Sequence, residues 1–250
     1  MIRGLYLAGT GMLVQRSKQD VITNNIANVE TLGYKQDMLL SRSFEDMLLS
    51  RMNDPSVVNR RAEVGALGPG VQIDEIGTDF SQGTPEQTGI ATDLCVTGPG
   101  FFVVNTDGGE RYTRSGNFTL NNEGYLVDQN GNRVQGDGGD IQLQSDRFLV
   151  RETGEVFDLD TNAQVGKLRL VEFEDPQALR KEGDNLYAGD GGAEAENSKV
   201  LQGYIESSNV NVAREMVDMI ITSRAFETNQ RSARMIDETL EKAVNEIAKF

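Results

Sequence analysis

Towards the C-terminus, apolar side chains recur at alternating steps of four and three. They fall on Val212, Met216, Met219, Phe226, Ala233, Leu240, Val244 and Ile247, with Ser223, Gln230 and Asp237 completing the series. One seam this narrow predicts a coiled-coil helix rather than the wider-striped helix of a globular domain. Asn209 or Asn211 is placed to cap its first free amides. No proline or glycine interrupts residues 212–250, so the predicted helix reaches ~60 Å at 1.5 Å per residue. The N-terminal end repeats the spacing at Leu5, Ala8, Met12, Gln15, Gln19, Ile22, Ile26 and Val29, and Gly33 is placed as a left-handed stop. A narrow seam needs a partner, so the two ends are expected to pair with each other. Val21, Ile220, Ile221 and Ile236 give the pair further apolar positions on the outward side. A second sticky face predicts packing against other copies.

Between the ends the pattern changes to short apolar runs separated by turn residues. The runs are Val71–Ile76, Phe101–Val104, Phe118–Leu120, Tyr125–Val127, Phe148–Val150 and Lys167–Phe173. Asp107-Gly108-Gly109, Asn130-Gly131, Asp137-Gly138-Gly139 and Thr153-Gly154 supply the positive φ of tight hairpins. Such spacing predicts an antiparallel meander or small sandwich and not βαβ units. The expected class is α+β, with a helical domain from 1–44 and 204–250, an extended connector at 45–80, and a β-rich body at 81–203.

Charge sharpens that division. Of 24 basic and 39 acidic side chains in 250 residues, residues 68–200 hold 10 and 24, together with 21 of the 27 glycines. The ends are near neutral and glycine-poor; the centre is acidic and rich in turns. A net charge of −15 disfavours nucleic acid as a partner. No apolar run is long enough to span a bilayer, and the first residues lack the apolar stretch and cleavage site of a secretory signal.

Candidate chemistry is sparse. With no histidine, the Ser-His-Asp and Cys-His arrangements are excluded, and the single Cys95 excludes an internal disulfide and any CxxC motif. Cys95 is expected to pack as a small hydrophobe. Asp158-Leu159-Asp160-Thr161-Asn162 opens like a calcium loop, but Ala163 and Arg169 stand where glycine and glutamate are needed, which leaves a polar turn. Gly98-Pro99-Gly100 has no lysine and no following helix to make a phosphate cradle. Asp74 and Glu75 point to opposite faces of a strand. No enzyme, cofactor or metal is expected. Asn24, Asn25 and Asn28 cluster where asparagine is a poor helix former. They either fray the helix end or bond between helices and fix register.

The sequence Thr23-Asn24-Asn25-Ile26-Ala27-Asn28-Val29-Glu30-Thr31-Leu32-Gly33-Tyr34-Lys35 resembles the N-terminal signature of the bacterial flagellar rod and hook proteins. Ser208-Asn209-Val210, then Met219-Ile220, Arg224-Ala225-Phe226, Asn229 and Asp237, resembles their C-terminal signature. Asp93-Leu94, Gly98, Gly100-Phe101-Phe102, Tyr112-Thr113-Arg114 and Gly124-Tyr125-Leu126-Val127 are similar to their body domain. Leu32 stands where that family usually has proline, which places more of the helix stop on Gly33.

The resemblance implies a structural subunit of the flagellar basal-body rod, a tubular drive shaft that transmits torque and encloses the export channel. Its partners would be further copies of itself in a helical homopolymer, other rod and hook proteins, the flagellar type III export apparatus and ring proteins, with no membrane insertion. Length and the segment Phe44-Glu45-Asp46-Met47-Leu48-Leu49 favour a distal-rod type over a proximal-rod or hook type. An acidic carbohydrate-binding β-domain is the unrelated alternative. The implied polymerisation interface comprises the seam residues Leu5, Met12, Ile22, Ile26, Val29, Met216, Met219, Phe226, Leu240, Val244 and Ile247. It also takes in the signature residues Asn24, Asn25, Asn28, Thr31, Gly33, Tyr34, Lys35, Ser208, Asn209, Val210, Arg224, Asn229 and Asp237. A lone narrow-seam helix is marginal in water, so the ends are expected to order only as copies join.

Overall fold

The computed structural model describes residues 2–45, 47–51, 62–145, 147–161, 163–195 and 197–247. The fold is α+β and separates into two units, one of residues 1–26, 37–77 and 212–250, the other of 27–36 and 78–211.

The first unit holds helices α1 (Ile2–Ala27) and α2 (Val212–Ile247). They run antiparallel. A Cβ on Gly4 would lie 2.9 Å from Ile236 Cδ1, and one on Gly11 2.8 Å from Asn229 Nδ2. Two heptads further along α1, Asn25 Nδ2 donates to Glu215 Oε2 at 3.4 Å. Equal steps along both helices keep one register from end to end, as a heptad seam requires.

That seam is rotated from the expected one. Ala8, Ile22, Met219, Phe226, Ala233 and Leu240 lie at least partly buried, as predicted. The alternate positions fall one residue away, on Gly4, Gly11 and Asn25 in place of Leu5, Met12 and Ile26. On α2 they fall on Glu215, Thr222, Asn229 and Ile236 in place of Met216, Ser223, Gln230 and Asp237. Ile236, expected outside, faces α1. The reason is steric: small and polar residues let the two backbones approach, whereas the bulky apolar ones need more room. Those stay outside, with Leu5, Leu7, Leu13, Met216, Val217, Ile220, Ile221 and Val244 all exposed. α1 also ends at Ala27, before Val29, so Gly33 is not its stop. α2 starts at Val212, which leaves Asn211 at the capping position.

The same unit contains a two-stranded ribbon. β1 (Asp37–Ser43) pairs with β4 (Val71–Thr78), and β2 (Met47–Arg51) pairs antiparallel with β3 (Ala62–Leu67). Phe44 N donates to Gly70 O at 3.0 Å, and Arg42 Nε lies 3.0 Å from Asp74 Oδ1. Most of the stretch predicted as an extended connector is therefore a ribbon folded back on itself. Asp46, residues 52–61 and Asn162 lie outside the described residues.

The second unit is the β body. Its largest sheet centres on Phe101–Thr106, flanked by Gly109–Thr113 on one edge and by Arg133–Gly136 and Leu170–Glu172 on the other. Phe102 and Val104 enter a core with Leu94, Phe118, Leu126 and Val134, while Phe101 and Val103 enter another with Tyr112, Phe173 and Tyr187. Burial on both faces explains why Phe101–Val104 is a continuous apolar run and not an alternating one. The chain leaves the body beside its entrance: Lys199–Gln202 pairs with Leu94–Thr97, and Tyr204–Glu206 with Pro85–Gln87.

Cys95 is fully buried in Leu94–Thr97 as a small hydrophobe, and burial pushes its thiol up to about 11. The reactive thiolate is therefore scarce at neutral pH. The folded chain should give almost no reaction with an aromatic disulfide reagent, and one full equivalent in denaturant. Rapid labelling of native protein would contradict this packing.

Candidate functional site

The N-terminal signature ends inside the body unit. Gly33, with φ +66°, sits where an added Cβ would be 2.5 Å from Ser115 N. Both its conformation and this close approach therefore require glycine. Its N–H donates to Glu206 O at 2.8 Å. Two residues on, Lys35 is fully buried and its Nζ donates to Ser81 O at 2.7 Å and Glu206 Oε1 at 2.5 Å. Glu206, also with no exposed side-chain surface, accepts from Gly83 N–H at 2.8 Å, and Arg114 Nη1 lies 4.0 Å from its Oε2. Arg114 itself donates to Gly98 O and stacks on the Phe101 ring.

Two buried cations thus share one carboxylate. Desolvation pushes both Lys35 and Arg114 below their ordinary values, with Glu206 opposing the drop at each. The neighbouring backbone is held as firmly. Asn209 Oδ1 accepts from Gln36 N–H at 2.8 Å while its Nδ2 donates to Asp79 O at 2.8 Å. Lys181 Nζ donates to Lys35 O and lies over the Tyr34 ring, and Asn185 Nδ2 donates to Leu32 O.

Asn25 performs the matching task in the helical unit. Its Oδ1 accepts from Asp37 N–H and its Nδ2 donates to Asp37 O, both at 2.9 Å, as a strand neighbour would, and Nδ2 also reaches Glu215. The asparagine cluster therefore splits. Asn25 bonds between elements, Asn28 belongs to a turn in which its Oδ1 accepts from Thr31 Oγ1, and Asn24 is exposed.

Of the other expected interface residues, Ile22 and Val210 are buried, while Met12, Ile26, Val29, Met219, Phe226, Asn229, Leu240 and Ser208 are partly so. Leu5, Met216, Arg224, Asp237 and Val244 are exposed, and the Ile247 side chain lies outside the described residues. Sequence reasoning missed Glu206 and the part played by Arg114.

Asp158 Oδ1 accepts from Asp160 N–H in a polar turn, and among the described residues no acid or cysteine group could hold a metal ion. Nor, among them, is any helix long and apolar enough to cross a membrane.

Comparison with known proteins places matches along the whole chain. Residues 5–35 match the family described as flagella basal body rod protein, residues 95–158 the flagellar hook protein FlgE/F/G D1 domain, and residues 201–246 the flagellar basal body rod FlgEFG protein C-terminal family. The flagellar basal-body rod protein FlgG of Bacillus subtilis is 34% identical over 270 residues, covering 98% of this chain and 99% of its own. The flagellar basal-body rod protein FlgF of Caulobacter vibrioides is 33% identical over 245 residues, covering 96% and 95%.

Proposed function

The chain belongs to the flagellar basal-body rod protein family, and from that premise we propose that it is a distal-rod, FlgG-like subunit that polymerises through α1 and α2. As a member it is a structural subunit of the rod at the flagellar basal body, and not an enzyme. The observation that carries the assembly reading is the inverted helix pair. Its own seam mixes Ile22, Phe226, Ile236 and Leu240 with glycines and polar groups, while many bulky apolar residues face outwards, Leu13 and Val244 each 65% exposed. Two paired helices that keep such surface in water are built for further helices. The residues named on sequence grounds that remain exposed, Leu5, Met216 and Val244, belong to these contacts. The seam-facing positions instead set the shape presented to neighbours.

A head-to-tail contact that does not close generates a helical tube. In that tube the helices line the inner wall, the acidic body lies outside, the lumen is the export channel, and the wall carries torque. Its further partners are other rod and hook proteins, the ring proteins and the type III export apparatus, through which the subunit passes unfolded. A proximal, FlgF-like or hook-type position is the alternative. Electron microscopy and sedimentation of the purified protein over a concentration series test the reading. Monomer when dilute and straight tubes when crowded are expected. Curved, flexible filaments favour the hook type, and a species that stays monomeric at millimolar concentration overturns polymerisation.

A further inference from the structure

We propose that the β body by itself clamps the two helix roots together, fixing residues 31–36 beside 206–211 before α1 and α2 pair and before any second copy arrives. The inference starts from where these roots belong. Both segments pack in the body unit, not with the helices they lead to. The contacts described above that fix them come from the body or from the other root: Ser81 and Gly83 beside the entrance, Lys181 and Asn185, and Asn209 on the outgoing chain.

None of these contacts needs a helix. The antiparallel pair Tyr204–Glu206 with Pro85–Gln87 already brings the exit of the body to its entrance. Glu206 then takes the Gly33 amide on its carbonyl and Lys35 on its carboxylate. A half-docked root would leave Lys35 stripped of water without its carboxylate, so docking is cooperative. Asp79 N–H already donates to Gln36 O at 2.9 Å, and Asn209, three residues before α2 begins, completes the clamp by bonding to both residues.

The helices gain the most from this arrangement. α1 carries Gly4, Gly9 and Gly11, each a weak helix former, so it has little tendency to order alone. With the roots clamped, the Asn25–Glu215 end of the seam is the first to meet. The helices then zip from that end towards Gly4 and Ile236, and the order that assembly must supply is confined to their far halves.

Hydrogen exchange of the full chain, dilute and monomeric, reads this apart from filament growth, so its failure is distinct from failure to polymerise. Peptides covering 31–36 and 206–211 are expected to exchange as slowly as Phe101–Val104, while 2–20 and 220–247 exchange at least ~100-fold faster. Roots that exchange at the rate of the distal helices overturn the clamp. Asn209→Ala is expected to speed exchange of 31–36 by ~10-fold or more while 101–104 stays slow. Unchanged protection of 31–36 in that variant overturns the joining role of Asn209.

Discussion

Glu206→Ala is expected to destabilise the body by about 3–5 kcal/mol, the range for breaking a buried ion pair by removing one partner. The substitution leaves Lys35 and Arg114 buried with no counter-charge between them and removes the acceptor of the Gly83 amide. At about 2–4 °C per kcal/mol for a unit of this size, the melting transition falls by roughly 10–15 °C. Lys35→Met is expected to cost much less, because Arg114 and the Gly83 amide still face Glu206 and a long apolar side chain fills the space. Thermal melts of both variants, with Cys95 labelling as the readout of the body, check the order. Equal losses would mean that the carboxylate is not the hub. The sign of the pH effect follows from the lysine. Its folded-state value lies below the ordinary one because burial outweighs the pull of Glu206. The cost of charging it is therefore full below the folded-state value and fades as pH rises from there to the ordinary lysine value. Wild type should gain stability relative to Lys35→Met along that rise.

The part of this hub that was legible in the sequence reflects what periodicity can carry. Lys35 stood inside a signature, but Glu206 is a lone acid at the end of a strand, 171 residues from its partner, and no spacing rule reaches that far. The turns of the body were plain because Asp-Gly and Asn-Gly have few other uses. Strands such as Arg133–Gly136 and Arg180–Gly183 carry too few apolar residues to announce themselves, and form because Phe101–Thr106 and Leu186–Ala188 offer them ladders. The ribbon strands Met47–Arg51, Ala62–Leu67 and Val71–Thr78 read as part of a connector because apolar and polar positions alternate only weakly along them. The helices show the reverse error. Steps of four and three predict their pairing, and half of the expected seam lies in the contact; the alternate positions fall one residue away, mostly on glycine and polar residues that carry no apolar signal. In this pair Gly4, Gly11, Asn25 and Asn229 join Ile236 at the contact, and much of the bulky apolar surface is left exposed.

That outward surface leads to the prediction with the largest effect on assembly. Leu13→Asp combined with Ile221→Asp is expected to abolish polymer growth while leaving the folded body unchanged. Both side chains are exposed in the single chain, 65% and 57%, and neither lies in the seam, so the monomer loses little. Surface exchanges within a helix are worth ~0.5 kcal/mol. In the proposed tube the same positions would be covered. Each apolar side chain then contributes about 1.5–3 kcal/mol per contact, and a carboxylate in its place adds a desolvation cost of similar or larger size. A loss of about 2.8 kcal/mol per contact raises the concentration needed for growth roughly 100-fold. Two such changes, repeated in every copy, should put assembly beyond reach. The paired alanine variant, which removes contact without adding charge, should raise the threshold and still grow. Pelleting assays across a concentration series measure both, with Cys95 protection confirming that the monomer is folded. Normal tubes from the double aspartate variant would show that the inverted helix face is not where copies meet.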